Sequence, residues 1–141
     1  MTISEKEKQI IDDFALFGDD WEGKYEHLIE LGKEYPRMDE QLKSDDRLIK
    51  GCQSRVWLFS EVKNRHVYYS VDSDAAIPKG IVSLVAWILS GQSPKEIVEA
   101  KLEFINTIGL KEHLSPTRAN GLVSMVKQMK MDALALSNKI S

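Results

Sequence analysis

Between Pro78 and Ser90 nearly every side chain is apolar. Ile81, Val82, Leu84, Val85, Trp87, Ile88 and Leu89 fall on almost all sides of a helix, not on one stripe. Such a helix has no face to give to water, so the rest of the chain must wrap around it. Pro78 suits a first helical turn and Gly91 suits the close. The greasy run from Ile81 to Leu89 is far short of the roughly 18 apolar residues that span a bilayer, so it reads as a core helix and not a membrane anchor. A length of 141 residues fits one domain, expected over 1–141, with one core of useful size.

The elements around that helix are legible from periodicity and stop signals. Ile10, Phe14 and Phe17 give an amphipathic helix over Glu5 to Phe17, ended by Gly18. Asp19 and Asp20 offer capping oxygens for a second helix, Trp21 to Glu34, which stops before Pro36. Met38 to Lys50 is a polar connector anchored by Leu42, Leu48 and Ile49. Val56 to Val62 and His66 to Asp72 alternate apolar and polar, as the strands of an antiparallel hairpin do, with Asn64 in the turn. A lone hairpin is marginal in water, so a third strand or a helical cover is expected, with Arg47 to Ile49 as the candidate strand. Ser93-Pro94-Lys95-Glu96 starts a short helix, and Leu102 to Ile108 forms another, ended by Gly109. Ser115-Pro116 starts the last helix, Thr117 to Asn138, with a stripe of Leu122, Val126, Met129, Ala133 and Leu136. The fold class is α+β: a small antiparallel sheet, expected to be three-stranded, packed with helices.

One cysteine, Cys52, stands in the chain. It cannot form an internal disulfide, nor can it build a cysteine-based zinc or iron–sulfur site alone. Free cysteine is commonly an inert core residue. Its neighbours Lys50, Gln53, Ser54 and Arg55 are poor company for a core, and nearby cations favour thiolate over thiol. Gly51 gives the backbone freedom just before it. On these residues alone, the inert and the reactive readings both stand. The histidines His27, His66 and His113 show no metal-ligand spacing, and phosphate-binding glycine loops are absent. A Cys-His-Asp hydrolase would draw on Cys52, His113 and Asp72 or Asp74. Arg118, in the first turn of the last helix, is a cation against the helix dipole and marks either an accident of the surface or an anion site.

The charge balance, 19 Lys and Arg against 22 Asp and Glu, argues against a nucleic-acid binder. The first residues, Met1 to Glu7, carry no signal-peptide pattern, and a single cysteine suits a reducing compartment, so a cytoplasmic location without membrane attachment is expected.

Four stretches in order resemble the SufE family of sulfur acceptors in iron–sulfur cluster assembly. They are Trp21-Glu22-Gly23-Lys24-Tyr25 with Glu30-Leu31-Gly32, then Gly51-Cys52-Gln53-Ser54-Arg55-Val56-Trp57-Leu58, then Asp72 to Gly80, and last Leu114-Ser115-Pro116-Thr117-Arg118-Ala119-Asn120-Gly121-Leu122. The resemblance implies a fold similar to IscU-type scaffolds. It implies that Cys52 accepts a persulfide sulfur from a SufS-type cysteine desulfurase, stimulates that enzyme, and passes the sulfur to a SufBCD-type scaffold. Arg118, Arg55, Asp74 and Gly51 are implied as supporting residues, with Asp74 in a structural or partner-contact role. No cofactor is implied for this chain, since the pyridoxal phosphate belongs to the desulfurase. The chain would then be a sulfurtransferase-like persulfide carrier and desulfurase activator, not a stand-alone turnover enzyme. The competing reading is a non-catalytic module that binds and regulates a desulfurase, with Cys52 inert. The loop around Cys52 is expected to rest against apolar surface when idle and to swing out on Gly51.

Overall fold

A computed structural model describes residues 1–139. The first helix, α1 (Ile3–Ala15), starts two residues before the periodicity predicts, because Thr2 caps it. The Thr2 hydroxyl accepts from the Glu5 N–H while the Glu5 carboxylate accepts from the Thr2 N–H, a reciprocal capping box. Helix α2 (Trp21–Glu34) has the expected bounds, with Asp20 as its cap through the Gly23 N–H. Strands β1 (Val56–Lys63) and β2 (His66–Ser73) pair antiparallel from Val56↔Ser73 to Lys63↔His66. Asn64 and Arg65 both take positive φ, 51° and 67°, which is the twist that a two-residue hairpin loop needs.

The expected third strand is not formed. Leu48 makes a single bridge to Trp57, with the Ile49 N–H donating to the Val56 carbonyl at 2.8 Å, and the sheet is two-stranded. A 3₁₀ turn at Asp45–Arg47 and the turn at Gly51 leave too little extended chain between them for a ladder. The other edge is touched once as well, where Gln92 bridges Val67. Helices do the covering that a third strand would have done.

Helix α3 (Ala76–Leu89) is the central element, with ten of its fourteen residues buried. It packs on α2 and on β2 and also meets α1 and α7. The short helices α4 (Pro94–Glu99), α5 (Phe104–Thr107) and α6 (Leu110–His113) carry the chain round to α7 (Pro116–Ser137). Helix α7 lies against α4, α3 and β1, burying Leu122, Met125, Met129 and Ala133. The buried Tyr69 hydroxyl donates to the Met129 carbonyl at 2.7 Å and ties β2 to α7. The connector after α2 is less polar in role than its composition suggests, since Met38 is buried along with Ile49.

The α2–α3 crossing depends on two absent side chains. A Cβ on Gly80 would run into the Leu28 carbonyl, and one on Gly32 would sit 3.0 Å from the Gly80 nitrogen. Backbone meets backbone there, so neither side can yield. This crossing fixes α3, and α3 supplies Pro78 and Ile81 to one wall of the site described next.

Candidate functional site

The segment Lys50 to Arg55 joins the Leu48 bridge to β1 and carries Cys52. Gly51 opens it at φ +94°, a conformation that L side chains rarely adopt. A Cβ there would also collide with the Ser124 side chain on α7. The far end is held by the turn after β2. The Asp74 carboxylate accepts from the Arg55 N–H at 3.1 Å, the Asp74 N–H donates to the Arg55 carbonyl at 3.2 Å, and the Ser73 hydroxyl donates to the same carbonyl at 2.7 Å. Between these two fixed ends lie Cys52, Gln53 and Ser54.

The half-buried Cys52 thiol faces the first turns of α7, with Sγ 3.7 Å from the Gly121 carbonyl, to which it donates. Gly121 lies directly against the thiol, where an added Cβ would make an ordinary contact with Sγ at 3.5 Å. A cavity of about 300 Å³ opens beside the sulfur. Val56, Pro78, Ile81 and Met125 give it an apolar floor, and Ser115, Thr117 and Arg118 stand at its polar side. Helix α7 begins there because Ser115 caps the Arg118 N–H and Pro116 occupies the first turn.

Burial pushes the Cys52 thiol above its ordinary pKa. The resting sulfur is therefore a protonated donor to a carbonyl, not a thiolate. No neighbouring cation offsets that burial. Lys50 is exposed, and the Arg55 guanidinium lies 3.5 Å from Asp45 and over the Trp57 ring, outside the cavity lining. Arg118 is the one cation on the cavity wall among the described residues, and no carboxylate there pairs with it. Arg118 thus shares the cavity with the thiol, Gly51 precedes it in the chain, Asp74 holds the far end of the span through the backbone, and Arg55 contributes its main chain while its side chain turns to Asp45 and Trp57.

The hydrolase constellation is not assembled. His113 stacks on Trp21 at 3.8 Å between ring centroids, and Asp72 is held by Lys43 and Lys79. Among the described residues no histidine or carboxylate lines the Cys52 cavity. Nor, among them, does any cluster of His, Cys, Asp and Glu have the geometry to hold a metal ion, and no helix is long and apolar enough to cross a membrane. A larger cavity, about 440 Å³ between α1, α2 and α3, is lined by His27, Tyr35 and Ser83 and holds no thiol. Sequence reasoning missed Gly121 and Ser124 as parts of the site. Gly121 left one signal: glycine inside a helix costs roughly 1 kcal/mol against alanine, so a packing reason for it was to be expected.

Fold and site together define an α+β protein built around one sheltered thiol. The family model described as "SufE: Fe-S metabolism associated domain" matches residues 8–133. Two uncharacterised SufE-like proteins, from Rhizobium meliloti and Rhizobium etli, are each 42% identical over 130 residues, covering 89% of this chain and 92% and 87% of theirs. The chain belongs to the SufE family. The solution structure of a hypothetical protein from Thermus thermophilus has the same fold, with a TM-score of 0.77 over 94% of this chain and 96% of that one at 21% identity.

Proposed function

We propose that this chain carries sulfur for iron–sulfur cluster assembly, receiving it on Cys52 from a cysteine desulfurase, stimulating that enzyme and passing the sulfur to a scaffold protein. The single observation that carries this reading is the placement of the only thiol: sheltered, yet on a three-residue span between a glycine pivot and the Asp74 clasp. A core cysteine needs no such span.

The donor is a desulfurase whose own active-site cysteine holds a persulfide. Cys52 leaves the Gly121 carbonyl as the span turns out on Gly51. Released from burial, the thiol loses the penalty on its charged form and ionises more readily. Its thiolate attacks the outer sulfur of the donor persulfide. A new bond forms between Cys52 Sγ and that sulfur, the donor's S–S bond breaks, and its electron pair leaves with the donor thiolate, which takes up the proton that Cys52 gave. No net oxidation occurs, as in any thiol–disulfide exchange. The persulfide is the more acidic group and suits the Arg118 side of the cavity better than the Gly121 carbonyl. With no second cysteine in the chain, nothing within it can attack the bound sulfur and release it as sulfide. Arg118 attracts the loaded anion, Asp74 sets how readily the span opens, and a SufBCD-type scaffold receives the sulfur in a second exchange of the same kind.

A second reading is favoured by the raised thiol pKa: a regulatory module that binds a desulfurase and leaves Cys52 idle. Incubation with a cognate desulfurase and L-cysteine, followed by intact mass spectrometry, separates the two. The carrier gains the mass of one sulfur, and Cys52→Ser gains none and fails to stimulate the desulfurase. Stimulation that survives Cys52→Ser with no sulfur on the wild type establishes the regulatory module instead.

A further inference from the structure

The cavity of about 440 Å³ between α1, α2 and α3 takes no part in the sulfur chemistry. Helix α3 gives a wall to both cavities: Pro78 and Ile81 line the one at Cys52, and Ser83, Leu84 and Trp87 line this one. The volume falls in the range of small-molecule sites, roughly 300–1,000 Å³. Burial grades the cavity from floor to mouth. Ile10, Ser83 and Leu84 are buried, Leu31, Tyr35 and Trp87 are half-buried, and Gln9, Glu34 and Pro36 are exposed. Walls from three separate helices make it a pit and not a groove along one element, and the pit is apolar and partly aromatic below a polar rim.

The charge of the pit has one sign. Half-buried Asp13 on α1 and exposed Glu34 at the end of α2 both line it, and neither has a cation within ion-pair distance among the described residues. No Lys or Arg lines it among those residues. The cations near it in the chain are engaged elsewhere. Lys6 donates to the Trp87 and Ser90 carbonyls at 2.7 and 3.2 Å, Lys33 pairs with Glu30 at 3.5 Å, and Arg37 pairs with Glu40 at 3.7 Å. His27 completes the wall, and its Nε2 is the one buried side-chain nitrogen or oxygen among the described residues without a hydrogen-bond partner. Such an orphan is uncommon in a folded protein and calls for an explanation. An ammonium, with three N–H donors and no acceptor, matches two carboxylates and an imidazole nitrogen. An anion matches none of them.

We propose that the cavity between α1, α2 and α3 binds a small organic amine, with its apolar body against Leu31, Leu84 and Trp87 and its ammonium at Asp13 and Glu34. The site stands whether or not Cys52 carries sulfur. A molecule seated there touches all three helices, so it binds the folded chain and not the unfolded one, and it raises resistance to unfolding.

The test titrates isotope-labelled protein and follows its amide and indole resonances. The probes are phenethylamine, tryptamine and benzamidine, with phenethyl alcohol and hydrocinnamate as neutral and anionic counterparts of the first. The expected result is that an amine shifts the resonances of Gln9, Ser83 and the Trp87 indole. It should bind at least about tenfold more tightly than the alcohol and the carboxylate, and it should raise the thermal midpoint. Asp13→Asn/Glu34→Gln, shown to be folded by circular dichroism, should bring amine binding down to the level of the alcohol. Ser83→Leu fills the floor and should weaken amine and alcohol alike. If that variant does not fold, the charge variant still decides. The proposal is overturned if none of the three amines shifts these resonances, or if the alcohol or the carboxylate binds as tightly as the amines. It is overturned too if Asp13→Asn/Glu34→Gln keeps the full preference for amines. Equal half-saturation at Asp12 and Asp19, outside the pit, means ordinary surface ion pairing and overturns it as well. So does a lysine-bearing peptide that shifts the pit when no small amine does, since the pit then serves a partner chain.

Discussion

Two regions of this protein use missing side chains in opposite ways. At the α2–α3 crossing, Gly32 and Gly80 bring backbone against backbone. At the cysteine span, Gly51 and Gly121 bring backbone against a serine hydroxyl and a thiol. The atoms in the way at the crossing cannot move without parting two helices. Those at the span are ends of side chains, or chain held by a few hydrogen bonds, and can give. Glycine thus makes a permanent joint in the frame and a reversible fit at the site. The half-buried thiol packs against the edge of the core, on a stretch of chain that can give.

The contrast can be broken by substitution, and Gly80→Ala should do most damage. The new Cβ meets the Leu28 carbonyl, so the crossing must open at a cost of about 3 kcal/mol or more, read as a lower midpoint in chemical denaturation. Gly51→Ala should cost less, about 1–2 kcal/mol for the left-handed backbone, with a further steric part against Ser124. Adding Ser124→Gly should recover the steric part and leave the backbone part. If Gly51→Ala destabilises as much as Gly80→Ala, the span is part of the frame and the comparison fails. Asp74→Ala removes the clasp on the Arg55 N–H and should speed alkylation of Cys52 about two- to tenfold, the worth of one hydrogen bond. Gly121→Ala should have the smallest effect on stability. Its Cβ makes an ordinary contact with Sγ at 3.5 Å, and alanine's better helix propensity offsets it by up to about 1 kcal/mol.

The thiol gives a pH signature on the same theme. Its folded-state pKa is raised, so the stability that comes from burying the neutral thiol is fully present below the unfolded pKa. It is lost as pH rises through the folded value. Alkylation of the folded protein should accordingly turn on at a higher pH than alkylation of the same thiol in denaturant. Asp72 belongs to the frame and behaves in the opposite sense. Burial raises its pKa, but Lys43, the Ser73 N–H and Lys79 together outweigh that and hold the carboxyl below its usual range. Its contribution to stability is present above the unfolded carboxyl pKa and is lost in acid, as pH falls through the lowered folded value. Asp72→Asn should flatten the acid side of the stability profile and leave the thiol titration in place.

The frame was legible in the sequence because periodicity reports burial. The all-round apolar pattern of Ile81 to Leu89 could serve only a central helix, and the alternation at Val56 to Val62 could serve only a strand with one covered face. What failed were features set by distant neighbours. The weakness of a lone hairpin called for a third strand or a helical cover; the helices supply the cover, and the Arg47 to Ile49 strand is reduced to a single bridge. Arg55 sits three residues from Cys52, yet its guanidinium turns to Asp45 and Trp57, a choice that chain proximity does not encode. Gly121 lay in view within the last motif, but its closeness to the thiol comes from how α7 packs on β1 and α3. Leu102 takes a left-handed backbone, φ 53°, while buried, and no local pattern around it announces this.

Amide hydrogen exchange tests the division between frame and span most directly. The Arg55 N–H, bonded to Asp74, should exchange through local opening of the span, at a rate little affected by mild denaturant. The amides of Val82 to Leu89 in α3 should exchange only through global unfolding, at least about tenfold more slowly and with full denaturant dependence. Equal rates and equal denaturant dependence at Arg55 and in α3 would mean that Cys52 leaves its cavity only when the whole protein unfolds, contradicting the account.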